Sequence, residues 1–362
     1  MRVVFRVDSS PLIGMGHLMR SLVLAELLRA RGASCHFVCR AHTGHQADFA
    51  RSRGFDVTLL PMSDRATVFS PTNYLSWLGA SVEVDVRETA DILRRPDGFI
   101  ADWLVVDHYG ADVHWQRALH PYSRHLMVID DLLMRSHDCD LLLNQSLADS
   151  GAGHALHSCA RADRLLLGPK YALLRPEFEQ AAARRQVRYG PVRRILVAFG
   201  GADPYDFPML ATKACFEVWP HIELDVVLGA ASQHLVAMQE FAQQDSRVHL
   251  HSAVSTVCTL MESADFSIGA AGMMTWERCT TGLPAAVVVM TENQQPIADF
   301  VVQMGAGVHL GNAENLGDGD MVEVLLQVRR HESRLPAMSL AALNIADGLG
   351  ASRVVSAMAE FQ

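Results

Sequence analysis

Two glycines and a histidine in "RVDSSPLIGMGHLMRSLVLAELL" are well spaced to do chemistry. Gly14 and Gly16 let backbone approach a ligand closely and take conformations closed to other residues. His17 then stands at the mouth of a helix. Backbone N–H groups at a helix start, with the positive end of its dipole, suit an anion such as a diphosphate. The same dipole disfavours an imidazolium, so it helps keep His17 neutral and able to accept a proton. Beside an anionic leaving group such a histidine is a general base; from spacing alone, a histidine capping a turn fits equally. The lysine that closes a P-loop is missing.

Four further stretches carry polar residues where chemistry could sit. In "VVDHYGAD", Asp107 and His108 end a buried strand; Asp107 could orient a histidine, bond a sugar hydroxyl or cap the next helix. In "ILVAFGGADP", Gly200 and Gly201 make a second close-approach turn, which a plain tight turn would explain as well. "SIGAAGMMTWERCTTGLP" is more specific: a strand, a turn with Gly269 and Gly272, a short helix carrying Glu277, then another buried strand. Glu277 lies one helical turn past a phosphate-binding N-terminus, where a carboxylate can accept both hydroxyls of a ribose; a surface salt bridge is the competing role. Glu292, Asn293 and Gln294 follow the next strand, where amides read sugar substituents or cap a loop. Asp138-Cys139-Asp140 and Asp318-Gly319-Asp320 have the DxD form that holds a divalent metal in some glycosyltransferases, a triplet also common by chance. "HTGH" and "HALH" lack further ligands at zinc spacing. No GxSxG elbow, Walker motif or HExxH is present.

These residues need elements to hold them. "VVFRVD" is strand-like, and "HLMRSLVLAELLRARG" has apolar residues at helical spacing with Gly32 as a stop. "SCHFVCR", "FDVTLLP", "WLVVDHYGAD", "LMVIDD" and "DLLLNQS" continue an alternation that predicts a parallel sheet covered on both faces. The pattern breaks across "LLLGPKYALLRPEFEQAAARRQVRYGPVRR", an expected inter-domain linker. A second series starts at "RILVAFGGADP" and runs through "ELDVVLGA", "VHLHSA", "ADFSIGAAG" and "PAAVVVM". Ligands of such sheets bind outside the carboxyl ends of the strands, so the polar residues there matter most: Asp8, His17, Asp107, His108, Asn144, Gly200 and 269–277.

A chain of 362 residues is long for one domain, and nearly half its residues are hydrophobic, enough for two cores. A formal charge of -9 excludes a general nucleic-acid binder, which needs a basic face, but allows a locally positive anion site. Neither a signal peptide nor an apolar run of membrane-spanning length is seen, and a cytoplasmic location is expected. Seven cysteines without a CxxC pair argue against a disulfide framework; Cys35 and Cys39 in an apolar strand read as core thiols before metal ligands.

Taken together, "RVDSSPLIGMGHLMR", "WLGASVEVD", "LVVDHYGAD", "VIDD", "LLLNQS", "GPKYALLRPEF", "ILVAFGGADP", "GAAGMMTWERCTTGLP" and "ENQ" resemble one family, and their order spans most of the chain. It is the UDP-2,4-diacetamido-2,4,6-trideoxy-β-L-altropyranose hydrolase family of pseudaminic acid biosynthesis, within the MurG-like GT-B superfamily. The resemblance implies an α/β GT-B fold of two facing Rossmann-like domains with a central cleft. Expected bounds are 1–170 for the N-terminal domain with the GxGH loop, 171–192 for the linker and 193–349 for the UDP-binding domain. A C-terminal helix over 350–362 is free to pack back on the N-terminal domain.

It further implies that His17 is the catalytic residue, that Gly14, Gly16, Arg20, Asp107, Tyr109, Asn293 and Gln294 bind the substrate, and that Gly200, Gly201, Gly272, Met273, Met274, Thr275 and Glu277 bind UDP. Family members often carry small hydroxyl residues where this chain has Met273 and Met274. That leaves Thr275 and backbone N–H groups to meet the phosphates. The implied reaction is hydrolysis of a UDP-sugar by inverting attack of water. UDP leaves as an anion, so a base suffices and no metal or cofactor is needed. A MurG-like inverting glycosyltransferase is the alternative. A small-molecule UDP-sugar is the expected partner of a monomeric chain, with no nucleic acid and no stable membrane association.

Overall fold

The computed structural model describes residues 1–63, 68–94, 100–132, 135–146, 160–200, 205–229, 232–252 and 257–361. The chain divides into two compact units, one of residues 1–173 with 349–362 and one of residues 174–348. Each is built on one parallel sheet.

The first sheet contains β1 (Arg2–Val7), β2 (Ser34–Arg40), β3 (Asp56–Leu60), β4 (Ala101–Asp107), β5 (Ser123–Ile129), β6 (His137–Asn144) and β7 (Ala160–Leu167). Their order in space is β3-β2-β1-β4-β5-β6-β7, so the strand order reverses between β1 and β4. Helices α1 (Gly16–Ala30), α2 (Ala47–Ser52), α3 (Val82–Leu93) and α4 (Val113–Leu119) connect the early strands. Val7 lies opposite Asp107, which sets Asp8 and His108 level at the carboxyl ends of the two central strands. Cys35 and Cys39 are buried free thiols of β2.

Helix α1 is apolar on more than its sheet-facing side, with Leu18, Leu22, Val23, Leu24, Ala25 and Leu28 all buried. Its outer side is covered by the final helix, Gly350–Ala359, through Val354, Val355 and Met358. Gly350 makes this docking possible: a Cβ there would lie 2.2 Å from the carbonyl oxygen of Ala172.

The second sheet contains β8 (Arg194–Ala198), β9 (Glu223–Leu228), β10 (Val248–Ser252), β11 (Phe266–Ala270), β12 (Ala285–Val289) and β13 (Gly307–Asn312). The order is β10-β9-β8-β11-β12-β13, again with the reversal between the two central strands, β8 and β11. Such a reversal opens a crevice outside the carboxyl ends of the strands, where open α/β sheets hold ligands.

The segment 171–192, expected as an inter-domain linker, is folded in part. Its middle forms the helix Pro176–Ala182, with Phe178 wholly buried, and the segment from 174 onward packs within the second unit. Arg188 explains the packing: its guanidinium donates to the carbonyls of Met261 (2.6 Å), Glu262 (3.0 Å) and Thr281 (3.1 Å). The Gly-Pro punctuation marks turns in a folded segment. Among the described residues, no helix is long and apolar enough to cross a membrane.

Candidate active site

Helix α1 starts at Gly16, and its N-cap, Met15, makes no side-chain capping bond. Gly14 takes φ +85° and closes the preceding turn by donating its N–H to the carbonyl of Ser10 at 2.7 Å. Open space lies where a Cβ would stand on Gly14 and Gly16, so backbone is accessible there. One residue on, the His17 ring turns inward and is 9 % exposed.

His17 Nδ1 lies 2.6 Å from Asp107 Oδ1 and 3.3 Å from Arg20 Nη2. A ring lone pair would be repelled by a carboxylate oxygen at 2.6 Å, so Nδ1 carries the proton and donates it to Asp107. In the neutral ring that tautomer puts the lone pair on Nε2. Asp107 is therefore a histidine orienter; the helix that follows it, α4, is capped instead by Asp112, which accepts from the backbone N–H groups of His114 and Trp115.

Arg20 sits one turn along α1 and grips the same carboxylate, Nε to Oδ2 at 2.7 Å and Nη2 to Oδ1 at 2.6 Å. Ser21 Oγ adds a bond to Oδ2 at 3.1 Å. Burial alone would raise the Asp107 pKa, but Arg20 and then His17 outweigh it and hold the group at about 2. Arg20 Nη1 donates onward to Asp131 Oδ2, and Asp131 Oδ1 accepts the backbone N–H of Gln145 at 2.9 Å. The result is a chain from His17 through Asp107 and Arg20 to Asp131, anchored on α1, β4 and the loops after β5 and β6.

An aromatic wall borders the imidazole. The Tyr109 ring meets it edge-on at 4.5 Å between centroids, and Trp77 at 6.4 Å. Tyr74 joins both, 5.3 Å from Tyr109 and 5.1 Å from Trp77. Burial, with Asp131 next in effect, pushes the Tyr109 hydroxyl pKa well above its usual value, so this phenol stays protonated. Its backbone carbonyl accepts from Arg135 Nη2 at 2.6 Å.

Behind this group lies a second buried network. Arg6 Nη1 donates to Asp8 at 2.6 Å and Nη2 to Asp85 at 2.7 Å; Arg40 Nη2 donates to Asp85 and Glu88, both at 2.8 Å. His108 Nδ1 accepts the Gly110 N–H at 2.9 Å, and burial lowers this histidine's pKa, so it is a neutral member of the network. Its Nε2 stands 3.0 Å from Asp8, off the line of a hydrogen bond. Arg6 interrupts an otherwise apolar strand because two carboxylates neutralise it, and it braces β1 against α3. Asn144, at the end of β6, accepts the Ser146 N–H at 3.0 Å and shapes the loop after that strand.

In the second unit, Gly200 follows β8 with φ +92° and no atom within 4 Å of its Cβ position. Gly201 lies outside the described residues. Gly272 and Met273 form the turn after β11, and Met274 opens the helix Met274–Thr280. The Thr275 backbone N–H is engaged within the turn by the Gly272 carbonyl, at 2.9 Å. Its hydroxyl is buried without a partner, so the side chain, and not the amide, is left for a ligand.

Glu277 is largely buried; its Oε1 is 3.4 Å from Arg175 Nη2. Burial raises its pKa, against the opposing pull of Arg175. Gln294 reaches the same turn, its Nε2 3.6 Å from the Cβ position of Gly272 while its Oε1 accepts the Met290 N–H at 3.1 Å. Asn293 stays local and accepts the Thr291 hydroxyl at 2.6 Å.

Asp138, Asp140 and Asp320 of the DxD triplets have other partners. Asp138 pairs with Arg117 at 2.7 Å; Asp140 lies 3.0 Å from His120 Nε2 and accepts the Leu126 N–H at 2.6 Å. Asp320 accepts the Gly317 N–H at 3.0 Å, a helix cap. Among the described residues, no cluster of three or more His, Cys, Asp or Glu side chains could hold a metal ion.

Two parallel sheets, each with its strand order reversing at the centre, define the class: an α/β fold of the GT-B type. MurG from Acinetobacter baumannii superposes with a TM-score of 0.65 over 99 % of both chains at 15 % identity. UGT89C1 from Arabidopsis thaliana, solved with UDP-L-rhamnose, gives 0.67 over 99 % of this chain and 98 % of that one at 12 % identity. No protein-family model matches.

Among curated proteins, the chain is 22 % identical over 309 residues to the UDP-2,4-diacetamido-2,4,6-trideoxy-beta-L-altropyranose hydrolase of Campylobacter jejuni, covering 84 % of this chain and 97 % of that protein. This relative carries the name of the family that the motifs resemble and bears the resemblance out. The chain is 28 % identical over 196 residues to the spore coat polysaccharide biosynthesis protein SpsG of Bacillus subtilis, 53 % of this chain and 57 % of that one. A Methanocaldococcus jannaschii protein, MJ1062, matches at 21 % over 316 residues, 86 % of this chain and 60 % of that one. The matches thus span less than two thirds of the length of these last two relatives.

Proposed function

We propose that the protein hydrolyses a UDP-linked 2,4-diacetamido-2,4,6-trideoxy sugar to free sugar and UDP. The observation that carries this reading is the 2.6 Å contact of His17 Nδ1 with Asp107, which puts the ring proton on Nδ1 and makes Nε2 the basic nitrogen of the neutral imidazole. Water attacks the anomeric carbon while the bond from that carbon to the diphosphate oxygen breaks. His17 Nε2 takes the water's proton and later releases it to solvent. Asp107 fixes the tautomer and stabilises the imidazolium, as a carboxylate does for a histidine base in acyl transfer. UDP departs as an anion, so no acid has to protonate it, and the anomeric configuration inverts.

In this reading Gly14, Gly16, Arg20 and Tyr109 shape the sugar end in the first unit. Gly200, Gly272, the Thr275 hydroxyl, Glu277 and Gln294 serve the nucleotide in the second. The name of the Campylobacter jejuni relative supports a hydrolase. A second reading, transfer of the sugar to an acceptor, is favoured by the glycosyltransferases among the structural neighbours, such as the calicheamicin enzyme CalG4.

Incubation with the UDP-sugar in ¹⁸O water and no acceptor separates the two. Hydrolysis gives free sugar labelled on its anomeric hydroxyl, unlabelled UDP, and an inverted anomer in NMR spectra recorded before mutarotation. His17→Asn lowers kcat by about 10²–10⁴ and keeps UDP affinity. Product formation only on addition of an acceptor would establish the transferase; label in the phosphate would move the attack away from carbon.

A further inference from the structure

The second unit has a buried cation that no role above uses. Arg278 is 1 % exposed and lies between the helix Met274–Thr280 and the sheet. Its Nη2 donates to the carbonyl of Ala270, the last residue of β11, at 2.6 Å. Space for the guanidinium exists because residue 269 is glycine: a Cβ there would be 3.2 Å from Arg278 Nη2 and 2.0 Å from the Ala198 carbonyl oxygen at the end of β8. The charge therefore lies beside the carboxyl ends of β8 and β11, the two strands between which the sheet order reverses.

Buried guanidinium groups are ordinarily paired with carboxylates and hydrogen-bonded throughout. Arg278 is neither. Its Nε and Nη1 are buried without hydrogen-bond partners, and so are the hydroxyl of Thr275 and the indole N–H of Trp276 on the same helix. Glu277 is the neighbouring carboxylate that acts on it, and Glu277 already stands beside Arg175. Cys279, also adjacent, is pushed up to about 12 by burial and stays a neutral thiol. Burial in turn pulls the guanidinium down to about 10, still a cation at neutral pH. The contrast is with Arg6, Arg20 and Arg40, the other buried arginines among the described residues, each of which is held by two carboxylates.

We infer that Arg278 is the built-in countercharge for the anionic part of the nucleotide, a positioning residue that acts from beneath the turns at Gly200 and Gly272. The inference rests on the nucleotide reading of the second unit and adds to it the residue that distinguishes diphosphate from nucleoside. A cation several ångströms from a dianion, shielded from water by the sheet, attracts it more strongly than an exposed lysine would. Such an effect scales with ligand charge.

Calorimetric titration of UDP, UMP and uridine into the parent, Arg278→Gln and Arg278→Lys proteins tests this. For Arg278→Gln the expected loss is about ten- to a hundredfold for UDP, smaller for UMP, and within about twofold for uridine. Arg278→Lys, which keeps the charge, retains most of the UDP affinity. An equal loss for uridine and UDP, or an unchanged UDP affinity, would reduce Arg278 to a packing residue. Parent protein that binds neither uridine nor UDP would instead remove the nucleotide reading itself. Should the Gln variant fail to fold, NMR of the parent decides: the Arg278 Nε–H signal, identified by its loss in the Lys variant, shifts when UDP is added and not with uridine. A signal that ignores UDP binding overturns the inference.

Discussion

Arg20 holds both oxygens of Asp107 while His17 shares one of them, so a single buried carboxylate serves a permanent cation and a titratable ring. The two demands are balanced. Arg20 keeps Asp107 ionised down to about pH 2, and it shares the carboxylate with the ring. The imidazole is thereby oriented by a carboxylate that a permanent cation also neutralises.

Replacing Asp107 by Asn keeps the shape and removes this balance. With Arg20 donating to the amide oxygen, the amide N–H groups turn towards His17 Nδ1, which must then accept. The proton moves to Nε2 and the base is lost. Steady-state kinetics should show kcat lower by about 10²–10⁴ with KM little changed, the pattern of a group that acts on the transition state. A variant with near-parental kcat would release Asp107 from any part in orienting the histidine.

The same carboxylate gives the fold an acid limit. Its pKa is depressed in the folded protein to about 2, below the usual value of roughly 3.9 for an unfolded chain. Its contribution to stability is therefore fully present above about pH 4 and is lost as pH falls towards 2. Denaturant titrations from pH 5 to pH 2 should show a shallower decline for Asp107→Asn than for the parent. Parallel curves would contradict the coupling to Arg20.

Glu277→Ala should weaken UDP by about ten- to a hundredfold, the cost of a lost hydrogen bond to a charged group of roughly 1.5–3 kcal/mol. KM rises and kcat is nearly kept, since ribose hydroxyls bind alike in ground and transition states. The raised pKa adds a sign: acidification protonates the carboxylate and weakens UDP in the parent, and Glu277→Gln flattens that dependence. UDP affinity that is the same at both ends of the titration in parent and variant would take Glu277 off the ribose.

In the proposed reading the leaving group meets the glycine turns and Arg278, so excess EDTA should leave turnover unchanged; Asp138, Asp140 and Asp320 have other partners. Loss of activity on chelation, restored by Mg²⁺ or Mn²⁺, would assign the phosphates to a metal.

Much of the fold was readable because parallel sheets write themselves as apolar runs ending in polar residues. His17, Asp107 and the turn before Glu277 were found at those ends. What stayed hidden is what depends on distant partners. Asp131 meets Arg20 across 111 positions, and Asp85 meets Arg6 across 79, so no local spacing signals either bond. Arg278 was hidden differently. Within "TWERCTTGLP" it reads as an exposed helix charge, and only the bare backbone of Gly269 reveals room for it inside. The packing of 174–192 was hidden because Gly and Pro mark turns whether or not a domain ends there; Arg188 holds that stretch down through carbonyls that local pattern does not reveal.

The docking of Gly350–Ala359 onto α1 has a consequence for synthesis. Leu18, Leu22 and their neighbours are translated before the second unit, but the side chains that cover them are encoded after it. At about 5–20 residues per second, translation of the intervening 174–348 leaves this apolar surface bare for roughly 10–35 s. Of the two units, the one whose translation begins earlier is thus completed later. During that interval the nascent chain presents a greasy helix face that a chaperone can shield, and the closing helix releases it.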